Sequence, residues 1–529
     1  MDTGVRRYDG HEGHDGRPLH SLTLHALLEE HRRSRPEHIA AISEGRQLGY
    51  PQLADRVMRL ANALQDAGVT RGDRILWLAQ NDIGVLEGII AAGMLGAMFC
   101  PANWRQTADE MAFVIDDLEP RVIVWQSAEI GPAVQAARDK ARHRGALWLA
   151  LDGDGPGSYE HFVAHGPLAP REVNTDPDLP ALIVYTAAFD GRPNGAMLSQ
   201  TAMMWQSLAL IDIQDLSADT RFLNSGPLFH VGTLMVTLAV FHIGGSNVFI
   251  RRTDTTRIAQ AVHEHRCDYA FLMQSLCHEL VALNHDARYD LSCLRSASVS
   301  PEWDAMVTVV PARSLFGYGQ TEVMGPVTWS YYGWGKSAGR NGRTSPVAQV
   351  RILDDEGREL PPGEVGEICV RGPTVMHGYW RRPELNAQRQ RDGWHRCNDL
   401  GRREADGSLS FIGTKVQMIK SGAENIYPAE VEGCLRQHPA VADCGVIGVP
   451  DATWVHSVKA IVVLKPDAPA VTPDELIEHC RARIASYKKP RFVAFVDALP
   501  RAANGALDYP ALDAAHGGGG YPGGLTRGA

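Results

Sequence analysis

Tyr185-Thr186-Ala187-Ala188-Phe189-Asp190-Gly191-Arg192-Pro193-Asn194-Gly195 is the stretch on which the reading of this 529-residue chain turns. It follows the apolar run Ala181-Leu182-Ile183-Val184, and the turn-forming pairs Asp190-Gly191 and Arg192-Pro193 give it the layout of a strand running into a phosphate-cradling loop. Such loops hold anions through backbone N–H groups and positive potential. This one carries the carboxylate of Asp190, and a shifted register brings in no lysine, because none occurs between Lys140 and Lys336. Taken alone, a Gly/Pro-rich surface turn is the competing reading.

Outward from the loop the pattern is mixed α/β. Leu53, Val57, Leu60 and Leu64 recur at helical spacing before Gly68, so Pro51 to Ala67 is predicted as an amphipathic helix, with a strand at Arg74 to Ala79. Gly445 to Val449 and Val458 to Leu464 read as short strands ended by Pro450 and Pro466, and a helix is predicted between Thr472 and Ile484. Apolar residues make up 44% and charged residues 22%, which is ordinary for a soluble enzyme, and the net charge of −10 argues against nucleic acid as a main partner. The nine cysteines contain no CxxC pair, so neither a disulfide framework nor a structural zinc site is indicated, and a cytoplasmic setting fits. Cys397 reads as a small buried apolar residue. No run of apolar residues is long enough for a membrane span. Residues 1–20, with His11 and His14, read as a flexible solvated tail, and residues 514–529 as a disordered Gly-rich one.

Further stretches stand in a fixed order along the chain: Pro227-Leu228-Phe229-His230, Tyr318-Gly319-Gln320-Thr321-Glu322, Gly363-Glu364-Val365-Gly366-Glu367 through Gly378-Tyr379, Trp394 to Asp399, Ile419-Lys420-Ser421-Gly422-Ala423-Glu424-Asn425-Ile426-Tyr427-Pro428, and Tyr487-Lys488-Lys489-Pro490. With the loop, this ordered set resembles the adenylate-forming (ANL) superfamily of acyl-CoA synthetases, peptide-synthetase adenylation domains and beetle luciferases, over roughly Leu22 to Asp508. The resemblance implies an α/β fold with a large N-terminal domain of layered sheets and helices (21–413) and a small mobile α/β C-terminal domain (414–513). It implies that Tyr318, Gly319, Gln320, Thr321, Glu322 and Asp399 bind AMP or an acyl-adenylate. Tyr318 is expected to present its ring to adenine from a loop, Thr321 to meet the α-phosphate, and Asp399 to accept the ribose diol. By the same resemblance His230 is expected to gate the acyl pocket and, with Thr321, to form the catalytic set. No metal site is assigned, Glu322 being the one candidate for Mg2+. Val416 holds the hinge position. The resemblance implies that Gly422, Ala423 and His230 flank the coenzyme A tunnel, which Ala423, in place of a glycine, is expected to narrow by one methyl group. Met203, Met204, Met235 and Met273 are candidates for an adaptable acyl pocket, with core packing as the competing reading.

The departures from the family pattern point to function. In the phosphate loop, Thr186 and the glycines Gly191 and Gly195 remain, while Ala187, Ala188, Phe189 and Asp190 stand where Ser, Gly, Thr and Thr are expected, and Asn194 where the lysine is expected. The family's last motif ends in a lysine that reaches the substrate carboxylate and α-phosphate. Here Pro500-Arg501-Ala502-Ala503-Asn504-Gly505-Ala506 puts Ala506 at that position, and Lys489 is the last lysine in the chain. Both losses strike adenylation, and the AMP-holding motifs survive. The pattern is similar to that of the non-adenylating acyl-CoA ligases of platensimycin and platencin biosynthesis, for which a partner synthetase makes the adenylate. It implies transfer of a preformed acyl-adenylate to coenzyme A, with AMP as product and a bulky polycyclic terpenoid acid as the acyl group. A full ATP-dependent synthetase and a non-catalytic adenylate-binding protein are the alternatives, and a carrier-protein thiol could replace coenzyme A.

Overall fold

The strand Pro180–Tyr185 that leads into the loop lies inside a seven-stranded sheet. The computed structural model describes residues 21–186, 193–311, 314–331, 337–415, 417–422, 424–466, 468–501 and 507–519, and the counts below refer to these. The expectations placed on Ala187, Ala188, Phe189, Asp190, Gly191, Val416, Ala423 and Ala506 fall outside them. Strand order in this sheet is Gly378–Tyr379, Gly195–Ser199, Pro180–Tyr185, Met98–Pro101, Arg74–Leu78, Val122–Trp125, Leu147–Ala150. The last five run parallel, and the first two are antiparallel to their neighbours. Parallel strands are covered on both faces, so they read as continuous apolar runs rather than alternating ones. Leu182 and Ile183, adjacent in sequence and on opposite faces, are both 0% exposed. The helix Ile83–Leu95 is buried on all sides and apolar except for Glu87, which pairs with Arg56 and Tyr159, whereas Tyr50–Asp66, one residue ahead of the predicted span, buries only the stripe containing Leu53, Val57, Leu60 and Leu64.

A second, five-stranded sheet is ordered Tyr269–Ala270, Arg221–Asn224, Ser246–Phe249, Ile39–Ser43, Arg46–Gly49. A third is antiparallel and brings Val365–Arg371, Trp394–Arg403 and Leu409–Thr414 side by side. The small C-terminal sheet contains the hairpin Ile419–Ser421/Glu424–Ile426, the long pair Val441–Asp451 and Val455–Leu464, and Phe492–Phe495. The fold is thus α/β, with a large N-terminal domain and a small C-terminal one, as the resemblance implies.

Two local expectations need correction. The strand predicted to stop before Pro450 continues to Asp451, with Pro450 opposite His456 near the hairpin end. The predicted helix from Thr472 to Ile484 is Pro473–Arg481, with Thr472 as its N-cap in a capping box with Glu475. Met203, Met204 and Met235 pack in the cores of the N-terminal domain, so the competing reading holds for them.

Candidate active site

A cleft of about 440 Å³ opens between the two domains. Its nucleotide side is built on the strand Ser314–Gln320 and the short 3₁₀ turn Thr321–Val323. Gly319 is there because the chain must pass close to its partner strand: a Cβ at this position would lie 2.1 Å from the Gly325 carbonyl oxygen. Tyr318 is not on a loop. It sits in the strand, is 5% exposed, and its ring stacks on Phe411 at 5.8 Å between centroids while still reaching the cleft wall. Its hydroxyl donates to Asp399 Oδ2 at 2.7 Å, and Gln320 Nε2 braces both, 3.1 Å from the Tyr318 hydroxyl and 3.3 Å from Asp399. Burial pushes the Asp399 carboxyl up to about 7 against the lowering pull of the Tyr318 hydroxyl.

Thr321 and Glu322 also line the cleft. Glu322 accepts from the Tyr379 hydroxyl at 2.7 Å, and burial raises its carboxyl in spite of that bond. It supplies a single carboxylate, and among the described residues no group of three His, Cys, Asp or Glu is arranged to hold a metal. Mg2+ bound here would draw the rest of its oxygen shell from nucleotide phosphates and water, as Mg2+ commonly does.

The phosphate-loop stems close on each other, the Thr186 N–H donating to the Asn194 carbonyl at 2.9 Å. Thr186 faces the cleft, whereas Asn194, only 1% exposed, accepts from Arg382 Nε at 3.0 Å, and the same guanidinium pairs with Asp117 at 2.8 Å. The side chain at the lysine position therefore belongs to a buried polar network. Tyr185 joins it, donating its hydroxyl to Asp117 at 2.7 Å.

The C-terminal domain supplies the other wall. His230, at the N-cap of the helix Val231–Ile243, has Nε2 3.3 Å from Glu424 Oε1 and 3.2 Å from Oε2, across the domain boundary. Burial alone raises the Glu424 carboxyl, but His230, Arg105 and Lys420 together bring it below the usual range. Lys488 Nζ bridges Glu110 at 2.7 Å and Glu430 at 2.6 Å, and Asn103 donates to the Tyr487 hydroxyl at 3.2 Å. These bonds place the hairpin Ile419–Ile426 against the cleft. The residues flanking position 506 are elsewhere: Arg501 pairs with Asp443, and Leu507 packs with Ile447 and Ile461 on the face of the small sheet opposite to Ile419 and Ile426. A second cavity of about 500 Å³ adjoins the cleft through Glu424 and Tyr487 and is lined also by Arg105, Met273, Lys489 and Arg491. Gly422, at φ +58° in the hairpin turn, backs onto Trp454, which lines that cavity.

Of the expected site residues, the structure brings together Thr186, His230, Tyr318, Gly319, Gln320, Thr321, Glu322 and Asp399. It adds Tyr379, Arg389, Glu424, Tyr427 and Lys488, of which Tyr379, Glu424, Tyr427 and Lys488 lie inside quoted motifs. Arg389 carries no motif signal, and neither do Asn103, Gln106 and Asn341 on the same lining.

The fold and cleft define a class, and comparison with known proteins agrees. The family described as AMP-binding enzyme matches residues 28–380, and the AMP-binding enzyme C-terminal domain matches residues 430–506. The chain belongs to the AMP-binding enzyme family, in its acyl-CoA ligase branch. It is 33% identical to indoleacetate–CoA ligase of Aromatoleum aromaticum over 502 residues, covering 92% of this chain and 96% of that one. It is 35% identical to feruloyl-CoA synthase of an Amycolatopsis species over 484 residues, covering 90% and 95%. Among solved structures, the amide bond synthetase McbA from Marinactinospora thermotolerans shares the fold at TM-score 0.78 and 24% identity, over 94% of this chain and 100% of that one. Among the described residues, no helix is long and apolar enough to cross a membrane.

Proposed function

We propose that this ligase transfers the acyl group of a preformed acyl-adenylate to coenzyme A, releasing AMP, and that it adenylates free acids poorly or not at all. One observation carries the reading. Among the described residues lining the cleft the only lysine is Lys488, and its ammonium is held by two carboxylates, while the two family lysine positions are Asn194 and Ala506. Removing one preorganised donor aimed at developing charge costs roughly 10²–10³ in rate. If the losses are independent, adenylation slows by roughly 10⁴–10⁶, about 5–8 kcal/mol. Thioesterification asks for less. A thiol near pKa 8.5 is a few per cent thiolate at neutral pH, and the adenylate already carries a good leaving group. Glu424 orients the His230 imidazole beside the cleft, and Tyr318, Gln320 and Asp399 form a braced unit suited to the nucleoside.

The test is a pair of assays on the intact protein: acid-dependent ATP–pyrophosphate exchange, expected to be negligible, and conversion of synthetic acyl-AMP with coenzyme A to acyl-CoA and AMP, expected to be robust. Strong exchange with any carboxylic acid would establish the second reading, a full synthetase, which the whole-length likeness to named CoA ligases favours. Inactivity with a broad panel of adenylates would favour a binding protein. The panel should contain arylacetyl, cinnamoyl-type and polycyclic terpenoid adenylates, the first two after the named relatives and the third after the platensimycin-type pattern.

We also assign the second cavity to the nucleotide end of coenzyme A, because Arg105, Lys489 and Arg491 give it a cationic rim beside the cleft. Exposed charge pairs contribute about 0.2–1 kcal/mol each. The double reversal Lys489→Glu/Arg491→Glu should therefore raise KM for coenzyme A by roughly 3–30-fold, with the effect shrinking at high salt. KM for pantetheine, which lacks the nucleotide, should stay unchanged. Equal effects on both thiols would remove the assignment.

A further inference from the structure

The strands Val365–Arg371 and Trp394–Arg403 fall out of step beside the nucleotide side of the cleft. Glu367 lies opposite Leu400 and Cys369 opposite Arg396, so the single residue Ile368 faces three on the other strand: Cys397, Asn398 and Asp399. A bulge of this kind re-aims the side chains it carries, and all three of these residues line the cleft. Its backbone is not relaxed. Asn398 has φ +62°, in the left-handed region that a non-glycine residue enters at a cost, asparagine less than most. The bulge also takes the Asn398 N–H out of the regular ladder, and leaving such a group unpaired costs as much as a lost hydrogen bond. Glu367 supplies the acceptor, its Oε1 taking the Asn398 N–H at 3.0 Å. Resting on the reading that the cleft takes an acyl-adenylate whose ribose is met by Asp399, we propose that Glu367 is a positioning residue for the nucleoside: it holds the bulge that aims Asp399 at the ribose diol, and through Lys415 it ties that bulge to the segment leading to the hairpin Ile419–Ile426.

The other contacts of Glu367 suit this task. Its Oε2 is 3.0 Å from Lys415 Nζ and 3.1 Å from Arg396 Nη1. Burial alone raises its carboxyl, but Lys415, Arg396 and the Asn398 N–H together bring it below the usual range, so it accepts as a carboxylate. The Lys415 N–H donates in turn to the Asn398 carbonyl at 2.9 Å, so both backbone groups of the left-handed residue are held. Tyr318 and Gln320 brace the tip of the Asp399 side chain, whereas Glu367 and Lys415 brace the backbone behind it. Glu367 itself lies behind the cleft lining and acts on the ligand through Asp399.

Calorimetry on the full chain with AMP and with 2′,3′-dideoxy-AMP isolates the diol contact. The wild type should hold AMP at least about tenfold tighter, in line with a charge-assisted hydrogen bond. Removing Glu367 alone orphans the buried Arg396 charge, whose Nε and Nη2 have no hydrogen-bond partner among the described residues, so the ion pair is best replaced whole. In Glu367→Leu/Arg396→Met the two affinities should come within about twofold of each other, with dideoxy-AMP bound as in the wild type. Glu367→Gln offers one oxygen for the two tasks and should cut the AMP preference by roughly threefold; it decides the matter if the double variant does not fold. Full AMP preference in either variant would show that Asp399 keeps its aim without Glu367, and the proposal falls. Equal weakening of both nucleotides would make Glu367 a purely structural residue and overturns it as well. A wild type that binds the two nucleotides alike would remove the ribose role of Asp399 and the proposal with it, whereas one that binds neither would overturn the functional reading beneath both.

Discussion

Ala506→Lys is expected to raise acid-dependent ATP–pyrophosphate exchange by roughly 10²–10³, the usual effect of one preorganised donor at developing charge. The motif around position 506 keeps the Pro500-Arg501 and Gly505 landmarks, so the lysine re-enters a segment otherwise similar to the family's. The same change should leave thioesterification nearly untouched. With the hairpin Ile419–Ile426 against the cleft, the flanking residues Arg501 and Leu507 are packed at Asp443 and Ile447, away from the cleft lining. Asn194→Lys alone should gain far less, because its position is 1% exposed and tied to Arg382, and a lysine there must first leave that network and shed the repulsion of the guanidinium. Combining the two changes need not give additive gains at a shared transition state. Loss of thioesterification without any gain in exchange would show that position 506 acts at a different stage of the cycle.

Asp399→Asn should weaken acyl-AMP binding by roughly 10–100-fold, the worth of one charge-assisted hydrogen bond to the ribose hydroxyls. It should also make the unliganded protein more stable at neutral and alkaline pH. Burial raises this carboxyl from 3.8 to about 7 in the folded protein, so between those values the native state keeps a proton that the unfolded chain has released. Stability therefore falls as pH rises from about 4 to about 7, and the full cost is present above 7. At about 1.4 kcal/mol per tenfold and with partial solvent screening, that cost is of order 1–3 kcal/mol. Thermal melts should show the Asp399→Asn variant level with wild type near pH 4 and above it by several degrees at pH 8. Wild-type affinity for a non-hydrolysable adenylate should rise through pH 7 as the acceptor ionises. A melting difference independent of pH would mean that Asp399 is not strained by burial. An unchanged affinity would remove its role at the ribose.

The sequence alone determined the α/β class, the order of the motifs and the absence of lysine at positions 194 and 506, because these depend on residue identity and local spacing. A strand before a Gly/Pro turn, a helical stripe at Leu53 to Leu64, and alanine or asparagine where a lysine is expected can all be read without knowing what lies opposite. Even there, tertiary context shifted the edges. Tyr318 lies in a strand because Gly317 and Gly319 let it pair closely with Gly325–Tyr331, a partner whose approach no local pattern records. What only the tertiary structure decided is which charges meet. Glu424 reaches His230 across 194 positions, and Lys488 reaches Glu110 across 378, while Asn194 turns into a network with Arg382 and Asp117. Arg389 gives no signal in the chain at all, since an arginine at the end of a short helix is most often a solvated one. Its place beside Glu322 and Asp399 follows from how the helix Pro383–Arg389 packs against the strands Gly378–Tyr379 and Trp394–Arg403, and side-chain electrostatics in a cleft are set by such long-range packing rather than by neighbours in sequence.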